Sequence, residues 1–124
     1  MLDPEYVHAT TREWLRAWNQ HDLDAVMRLY ADRLEFVSPL VVERLGRADG
    51  TITRKDELRD YFARSLGPDS TLRFELKGTL IGVSSWTTLF TNHRGQLVAE
   101  VAFPDAAGLI ERVFVHHLDR QDEG

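Results

Sequence analysis

The stretch from residue 13 to residue 39, EWLRAWNQHDLDAVMRLYADRLEFVSP, predicts a helix, a sharp break, a second helix and a strand in quick succession. Trp14 and Trp18 lie one helical turn apart on the first helix. The polar residues that follow predict a stop and then a new helix N-cap at Asp22. Residues 34–38 then alternate like those of a strand. This order of elements is typical of the first half of an α+β domain.

Start and stop signals predict where the helices begin and end. Asp3-Pro4 predicts the N-terminus of the first helix, because proline is tolerated in the first turn. The second helix is expected to close at Tyr30-Ala31-Asp32. Thr53 is expected to cap a third helix that ends at Gly67-Pro68. The connection formed by residues 39–50 is long enough to be a rim or a lid over a site.

The C-terminal half of the chain is predicted to be strands, separated by turn signals. The predicted strands cover residues 72–82, 84–92, 96–103 and 109–118. The fold class that we predict is α+β: a cone-shaped, curved antiparallel sheet wrapped around three helices. A chain of 124 residues is the usual size of one compact unit, so we expect a single domain over residues 1–124.

Composition restricts the classes of function. The chain has 15 basic and 20 acidic residues and no basic stripe, so nucleic acid is not an expected partner. It has no leader pattern and no long apolar run, so we expect no membrane partner and a cytoplasmic location. The absence of cysteine excludes disulfides and thiolate metal sites. The five histidines lack the spacing of metal ligands, so we expect no metal and no cofactor.

Four stretches together resemble a known superfamily. They are WLRAWNQHDLDAVMRLYAD (residues 14–32), LEFVSP (34–39), GTITRKDELRDYFARSLG (50–67) and AFPDAAGLIERVFVHHL (102–118). Their order is similar to that of the nuclear transport factor 2-like superfamily, especially its SnoaL-like and ketosteroid isomerase-like branches. The resemblance implies a cone that holds an apolar small molecule. It does not imply one reaction, because the fold hosts isomerases, cyclases, dehydratases and binding proteins alike.

Compared with ketosteroid isomerases, the chain differs at the family's best known positions. Ser38 stands where the resemblance places the aspartate base, and a neutral hydroxyl cannot replace that carboxylate. Trp14 stands in the place of the tyrosine of the oxyanion hole, and its indole N–H could donate one hydrogen bond. The second acid of the family falls at Ala99 or Pro104, according to the direction of counting. Glu100 is the nearby acid, one position out of the favoured register.

The catalytic residues that we predict are His117, Ser38, Trp14 and Tyr30. The resemblance turns the strand face of His117 toward the cavity, where an imidazole can act as acid or base near neutral pH. The predicted substrate-binding residues are Trp18, Phe36, Phe62, Ala99, Val113 and Val115. Each prediction has a structural alternative, since aromatic residues also fill cores and a histidine at a strand end is often a surface residue.

Three hypotheses about function follow. The first is an enzyme that isomerises, cyclises or dehydrates an apolar polyketide-, terpenoid- or steroid-like molecule without a cofactor. The second is a non-catalytic protein that binds such a ligand in the same cavity. The third is an interaction module whose cavity is filled by side chains. A homodimer formed through the outer face of the sheet is expected from the resemblance.

Overall fold

The computed structural model describes residues 1–119 of the chain, so residues 120–124 of the predicted domain lie outside it. Four helices and six strands follow one another in the order α1 (Pro4–Asn19), α2 (Leu23–Met27), β1 (Tyr30–Val37), α3 (Pro39–Leu45), β2 (Thr51–Arg54), α4 (Lys55–Ala63), β3 (Glu75–Ile81), β4 (Trp86–Thr91), β5 (Leu97–Pro104) and β6 (Ile110–His117). The α+β class predicted from the sequence is confirmed.

The six strands form one curved, unclosed sheet in the order β2-β1-β6-β5-β4-β3. Neighbouring strands are antiparallel, as predicted for the C-terminal meander, except that the early strand β1 pairs in parallel with β6. Register shifts interrupt the ladder in β1, β3 and β5. Such irregularities bend and twist strands, which helps a sheet to curve around helices.

The first two helices begin where the sequence predicts. The Asp3 carboxylate accepts a hydrogen bond of 3.0 Å from the Glu5 N–H, and Pro4 occupies the first turn of α1. After the break, the Asp22 carboxylate accepts a hydrogen bond of 3.1 Å from the Ala25 N–H at the start of α2. Both contacts satisfy backbone donors that have no partner within the helix.

The region between the first strand and the next helix differs from the prediction. Residues 39–45 form a helix, α3, where we expected an irregular rim or lid, so the domain has four helices rather than three. The Ser38 hydroxyl accepts from the Leu40 N–H at 3.2 Å, and Gly46 ends the helix in the left-handed conformation, with φ of 66°. Ser38-Pro39 therefore marks the start of α3, and Gly46 marks its end.

Two predicted helix ends were also wrong, and for the same reason. Tyr30 belongs to β1 instead of closing α2, because the backbone there already pairs with Ile110 of β6. Thr53 belongs to β2 instead of capping a helix, because β2 pairs with β1 as far as Arg54. Helix α4 therefore begins at Lys55 without a side-chain cap. Sheet pairing overrides the local signal at both places.

The helices cover the concave face of the sheet, and the core lies between the two layers. The largest fully buried side chains come from both layers: Val7, Val26, Val41, Ile52 and Leu58. On β4 the buried residues are Trp86, Thr88 and Phe90, so this row faces inward, a question that the sequence left open. Among residues 1–119, the four helices all contribute to the core, so none of them covers the opposite face of the sheet.

Candidate active site

A cavity of about 390 Å³ opens between the concave face of the sheet and helices α3 and α4. This volume is in the range of small-molecule sites. Its walls are mainly aromatic and aliphatic: Trp18, Phe36, Tyr61, Phe62, Leu72, Phe74, Phe90, Val98 and Val115. Four exposed polar residues, Glu43, Arg44, His93 and Arg94, form the rim. The shape and lining suit an apolar molecule that enters from the polar rim.

One wall is held in place by the end of α1. The Asn19 side-chain amide donates to the Phe74 carbonyl at 2.9 Å and accepts from the Phe74 N–H at 2.7 Å. His21, in the left-handed conformation directly after the helix, places its ring Nε2 2.8 Å from the Leu72 carbonyl. These contacts fix the segment before β3, so Leu72 and Phe74 line the cavity on a rigid backbone.

Glu100 is the acid of this cavity. It lies on the inner face of β5, directly opposite Thr88 of β4 and Val115 of β6. Within residues 1–119 no group forms an ion pair or a hydrogen bond with its carboxyl. Burial among these neighbours raises the pKa of Glu100 from 4.5 to about 7. A carboxyl with that pKa can both take and return a proton near neutral pH.

Tyr30 faces Glu100 from the start of β1. Both residues line a small void of about 10 Å³ that lies deeper than the main cavity. Tyr30 is only 2% exposed. Burial raises the pKa of Tyr30 well above its ordinary value of 10.0, and the nearby Glu100 carboxylate raises it further. The phenol therefore remains protonated and can act as a hydrogen-bond donor beside the acid.

His117 lies one strand away from Glu100 on the same inner face. The register pairs His117 with Val98 and pairs Glu100 with Val115, so the two side chains are diagonal neighbours across β5 and β6. Burial lowers the pKa of His117, with the Glu43 carboxylate opposing this shift. Its Nε2 is buried without a hydrogen-bond partner. A neutral imidazole thus lines the cavity with an unsatisfied ring nitrogen.

The other two predicted catalytic residues have structural contacts. Ser38 lines the cavity, but its hydroxyl oxygen caps α3. Trp14 is 5% exposed, stacks on Phe74 with ring centroids 5.4 Å apart and meets the edge of Phe90 at 5.0 Å. It contributes to the small void and not to the main cavity. The catalytic role of Ser38 and Trp14 stays a prediction.

The predicted binding residues divide into three groups by position. Trp18, Phe36, Phe62 and Val115 line the main cavity. Val113 lines the small void behind it. Ala99 lies on the outer face of β5, which corrects its predicted place in the cavity. The buried Val98 and Ala102 fix the inward row of this strand, and side chains alternate along a strand, so Glu100 and not Ala99 faces the site.

Sequence reasoning missed several residues of the site. Glu100 was considered but was placed out of register. Phe74 and Phe90 were assigned to strands without a predicted role in binding, although both line the cavity. The information that was missing is that Trp86, Thr88 and Phe90 are the buried residues of β4. This fixes which face of β4 points inward and, because β4 pairs with β5, which face of β5 does so.

Residues 1–119 hold neither a cluster of metal ligands nor a helix suited to span a membrane. No group of three or more histidine, aspartate or glutamate side chains lies close enough together there to hold a metal ion. None of the helices in this part of the chain has the length and apolar character needed to cross a bilayer.

The SnoaL-like domain family matches residues 11–122 of the chain. A SnoaL-like protein of unknown function from Burkholderia thailandensis E264 has 30% sequence identity and a TM-score of 0.90, with 96% of this chain and 100% of that chain covered. A comparison with the curated proteins gives no significant match.

More distant structures share the fold alone. An NTF2-like protein of unknown function from Burkholderia xenovorans LB400 has 17% identity and a TM-score of 0.72, covering 93% of this chain and 84% of that chain. A protein of unknown function with a cystatin-like fold from Methylobium petroleophilum PM1 has 14% identity and a TM-score of 0.73, covering 99% and 82%. On the family match over residues 11–122 and the relative with 30% identity, the chain belongs to the SnoaL-like domain family.

Proposed function

We propose that this protein binds an apolar small molecule in the main cavity and isomerises, cyclises or dehydrates it by general acid–base chemistry, without a cofactor. The observation that carries the proposal is the Glu100 carboxyl, unpaired within the described chain, at the wall of an aromatic cavity of about 390 Å³. A buried acid with a pKa near 7 is a characteristic of catalytic sites.

Unsatisfied polar atoms support the same site. Trp18 Nε1 and His117 Nε2 are buried without hydrogen-bond partners in the described structure, and both residues line the main cavity. Leaving a buried polar group unpaired costs about 1–3 kcal/mol. A ligand that carries a carbonyl or hydroxyl group among its apolar atoms would supply the missing partner.

The chemistry that we propose is a proton transfer within the ligand. The Glu100 carboxylate removes a proton from a carbon next to a carbonyl group, and the Trp18 indole N–H donates a hydrogen bond to the carbonyl oxygen, on which negative charge develops. Protonated Glu100 then returns the proton at a second carbon or to a leaving hydroxyl group. The neutral imidazole of His117 offers a second acid–base group nearer the rim. The sum of these steps adds and removes no electrons, so no oxidant or reductant is needed.

The size of the cavity favours this proposal over an interaction module. Trp14 packs into the aromatic core, yet Trp18, Phe36 and Phe62 leave the cavity open. A purely binding protein would use the same walls but would have no use for Glu100 as a proton carrier. Substitution of that residue therefore separates the two remaining hypotheses.

The test begins with native mass spectrometry of the purified protein, followed by denaturation, to identify any small molecule that copurifies. That molecule and its chemical relatives are then assayed for turnover with wild-type protein, Glu100→Gln and the exposed control Glu111→Gln. We expect turnover to fall by about 100-fold or more in Glu100→Gln and to be unchanged in Glu111→Gln. Equal turnover in all three proteins would show that Glu100 is not the acid–base group.

We also propose that the outer face of the sheet forms a homodimer. Leu80 of β3 on this face is 58% exposed. Beyond β4, Ala99, Val101, Phe103 and Phe114 form a half-buried apolar row, with the Arg112 guanidinium over the rings of Phe103 and Phe114. An apolar face without a covering layer is typical of a contact between copies. Light scattering after size-exclusion chromatography should give a dimer for the wild type and a monomer for Val101→Glu. A wild-type monomer would contradict the proposal.

A further inference from the structure

The small void behind the main cavity has mainly apolar walls, with a few polar groups among them. Its polar lining includes Thr11 of α1 and Thr88 of β4 besides Tyr30 and Glu100. Its volume of about 10 Å³ is close to the space that one water molecule needs. Three of these four residues are buried, and Glu100 keeps part of its exposure because it also lines the main cavity.

Thr11 is the unusual member of this group. It is 3% exposed, and its hydroxyl oxygen has no hydrogen-bond partner in the described structure. A threonine inside a helix commonly bonds to the carbonyl of the preceding turn, but here that bond is not formed. The hydroxyl is therefore a buried polar group without a partner, on a residue that lines the same void as Glu100. Such groups are usually satisfied by internal water.

The strand register places Thr88 next to Glu100, at the void that Thr11 lines. Thr88 and Glu100 are direct partners across β4 and β5 on the inner face, and side chains in that relation lie about 5 Å apart at Cβ. Tyr30 interacts electrostatically with Glu100 from β1. Thr11, Thr88 and Glu100 thus line one space the size of a single water molecule, with Tyr30 beside them. A water molecule requires two to four polar partners, which these residues can supply.

We propose that the void binds one water molecule, held by Thr11 and Thr88, which hydrogen-bonds to the rear of the Glu100 carboxyl. The water donates one hydrogen bond to the carboxylate oxygen that faces away from the main cavity. The other oxygen remains available to a ligand. Thr11 and Thr88 are then positioning residues that act on Glu100 through the water. This inference rests on the proposed function only for the role of Glu100 as the acid.

The experiment compares the wild type with Thr11→Val and Thr88→Val, which replace a hydroxyl by a methyl group of similar size. The matched control is Thr87→Val, which makes the same change on the outer face of β4. A high-resolution crystal structure of the wild type should show one water within hydrogen-bond distance of Thr11 Oγ1 and of the Glu100 carboxyl. Carbon-13 NMR of the glutamate carboxyl groups then follows the titration of Glu100 in each protein without any ligand.

Loss of the water removes a hydrogen bond from the charged form of Glu100, so both inner variants should raise the pKa of this residue by about one pH unit relative to Thr87→Val. If Thr11→Val does not fold, Thr88→Val gives the same test. A dry void in the wild type, or inner variants that titrate like Thr87→Val, would overturn the inference. Such a result would not affect the outcome of the turnover test with Glu100→Gln. The water site and the catalytic role of Glu100 can therefore be refuted independently.

Discussion

Replacing Glu100 by glutamine is expected to stabilise the protein above pH 7 and to change its stability little below pH 4.5. Burial raises the pKa of this carboxyl from 4.5 to about 7. The folded state therefore binds this proton more tightly than the unfolded state, so the contribution of Glu100 to stability is fully present below pH 4.5 and is lost as the pH rises through 7. Each pH unit of pKa difference is worth about 1.4 kcal/mol, so the full loss is about 3 kcal/mol.

Urea denaturation at pH 5 and at pH 8 measures this effect directly. Glutamine has nearly the shape of the protonated acid but does not ionise. At pH 8 the Glu100→Gln variant should therefore be more stable than the wild type by about 3 kcal/mol, and at pH 5 by less than about 1 kcal/mol. The control Glu111→Gln, which changes an exposed acid on β6, should follow the wild type at both pH values. A difference between wild type and Glu100→Gln that does not depend on pH would refute the reasoning.

Three more predictions concern residues that support the site. Ser38→Ala removes the cap of α3 and should lower the free energy of unfolding by about 1 kcal/mol in urea melts, whereas the exposed Ser84→Ala should leave it unchanged. Asn19→Ala removes both bonds that hold Phe74, so it should cost about 2 kcal/mol by the same measurement and weaken binding of apolar dyes. Nitrogen-15 NMR of the His117 ring should give a titration midpoint below 6.5, because burial disfavours the imidazolium; protonation of this residue then lowers stability as the pH falls. A midpoint at or above 6.5 would contradict the buried position.

The sequence predicts the architecture well because its strongest signals are local. Asp3-Pro4 and Asp22 start helices where the structure has them, and the turn at Gly95, with φ of 75°, separates β4 from β5 as expected. The errors fall where pairing between distant segments decides the backbone. Tyr30 and Thr53 carry helix-end signals, yet both are held in strands by partners elsewhere in the chain. Local propensity cannot report such partners.

The site was harder to predict than the fold, because its decisive acid depends on register. The resemblance places the second acid at Ala99 or at Pro104, and neither residue is an acid, whereas Glu100, one position from Ala99, faces the cavity. Both faces of this strand carry apolar residues, for example Val98 inside and Val101 outside, so alternation alone does not distinguish them. A shift of one residue exchanges the two faces. The partner strands, and Thr88 above all, determine which face Glu100 occupies.

The energetic cost of Glu100 bears on the choice between the hypotheses. Ionisation of Glu100 costs the protein about 3 kcal/mol of stability at neutral pH, and the carboxyl has no ion pair within residues 1–119. An apolar residue at this position would therefore contribute more to folding. An interaction module with a filled cavity offers no reason for such a group, and neither does a passive store for apolar molecules. A site that transfers protons near neutral pH does give a reason for Glu100. The burial that destabilises the carboxylate also brings its pKa close to neutral pH, where it can take up and release a proton. The destabilisation and the proposed activity thus have one physical origin, so a variant that gains stability at pH 8 should be the variant that loses turnover.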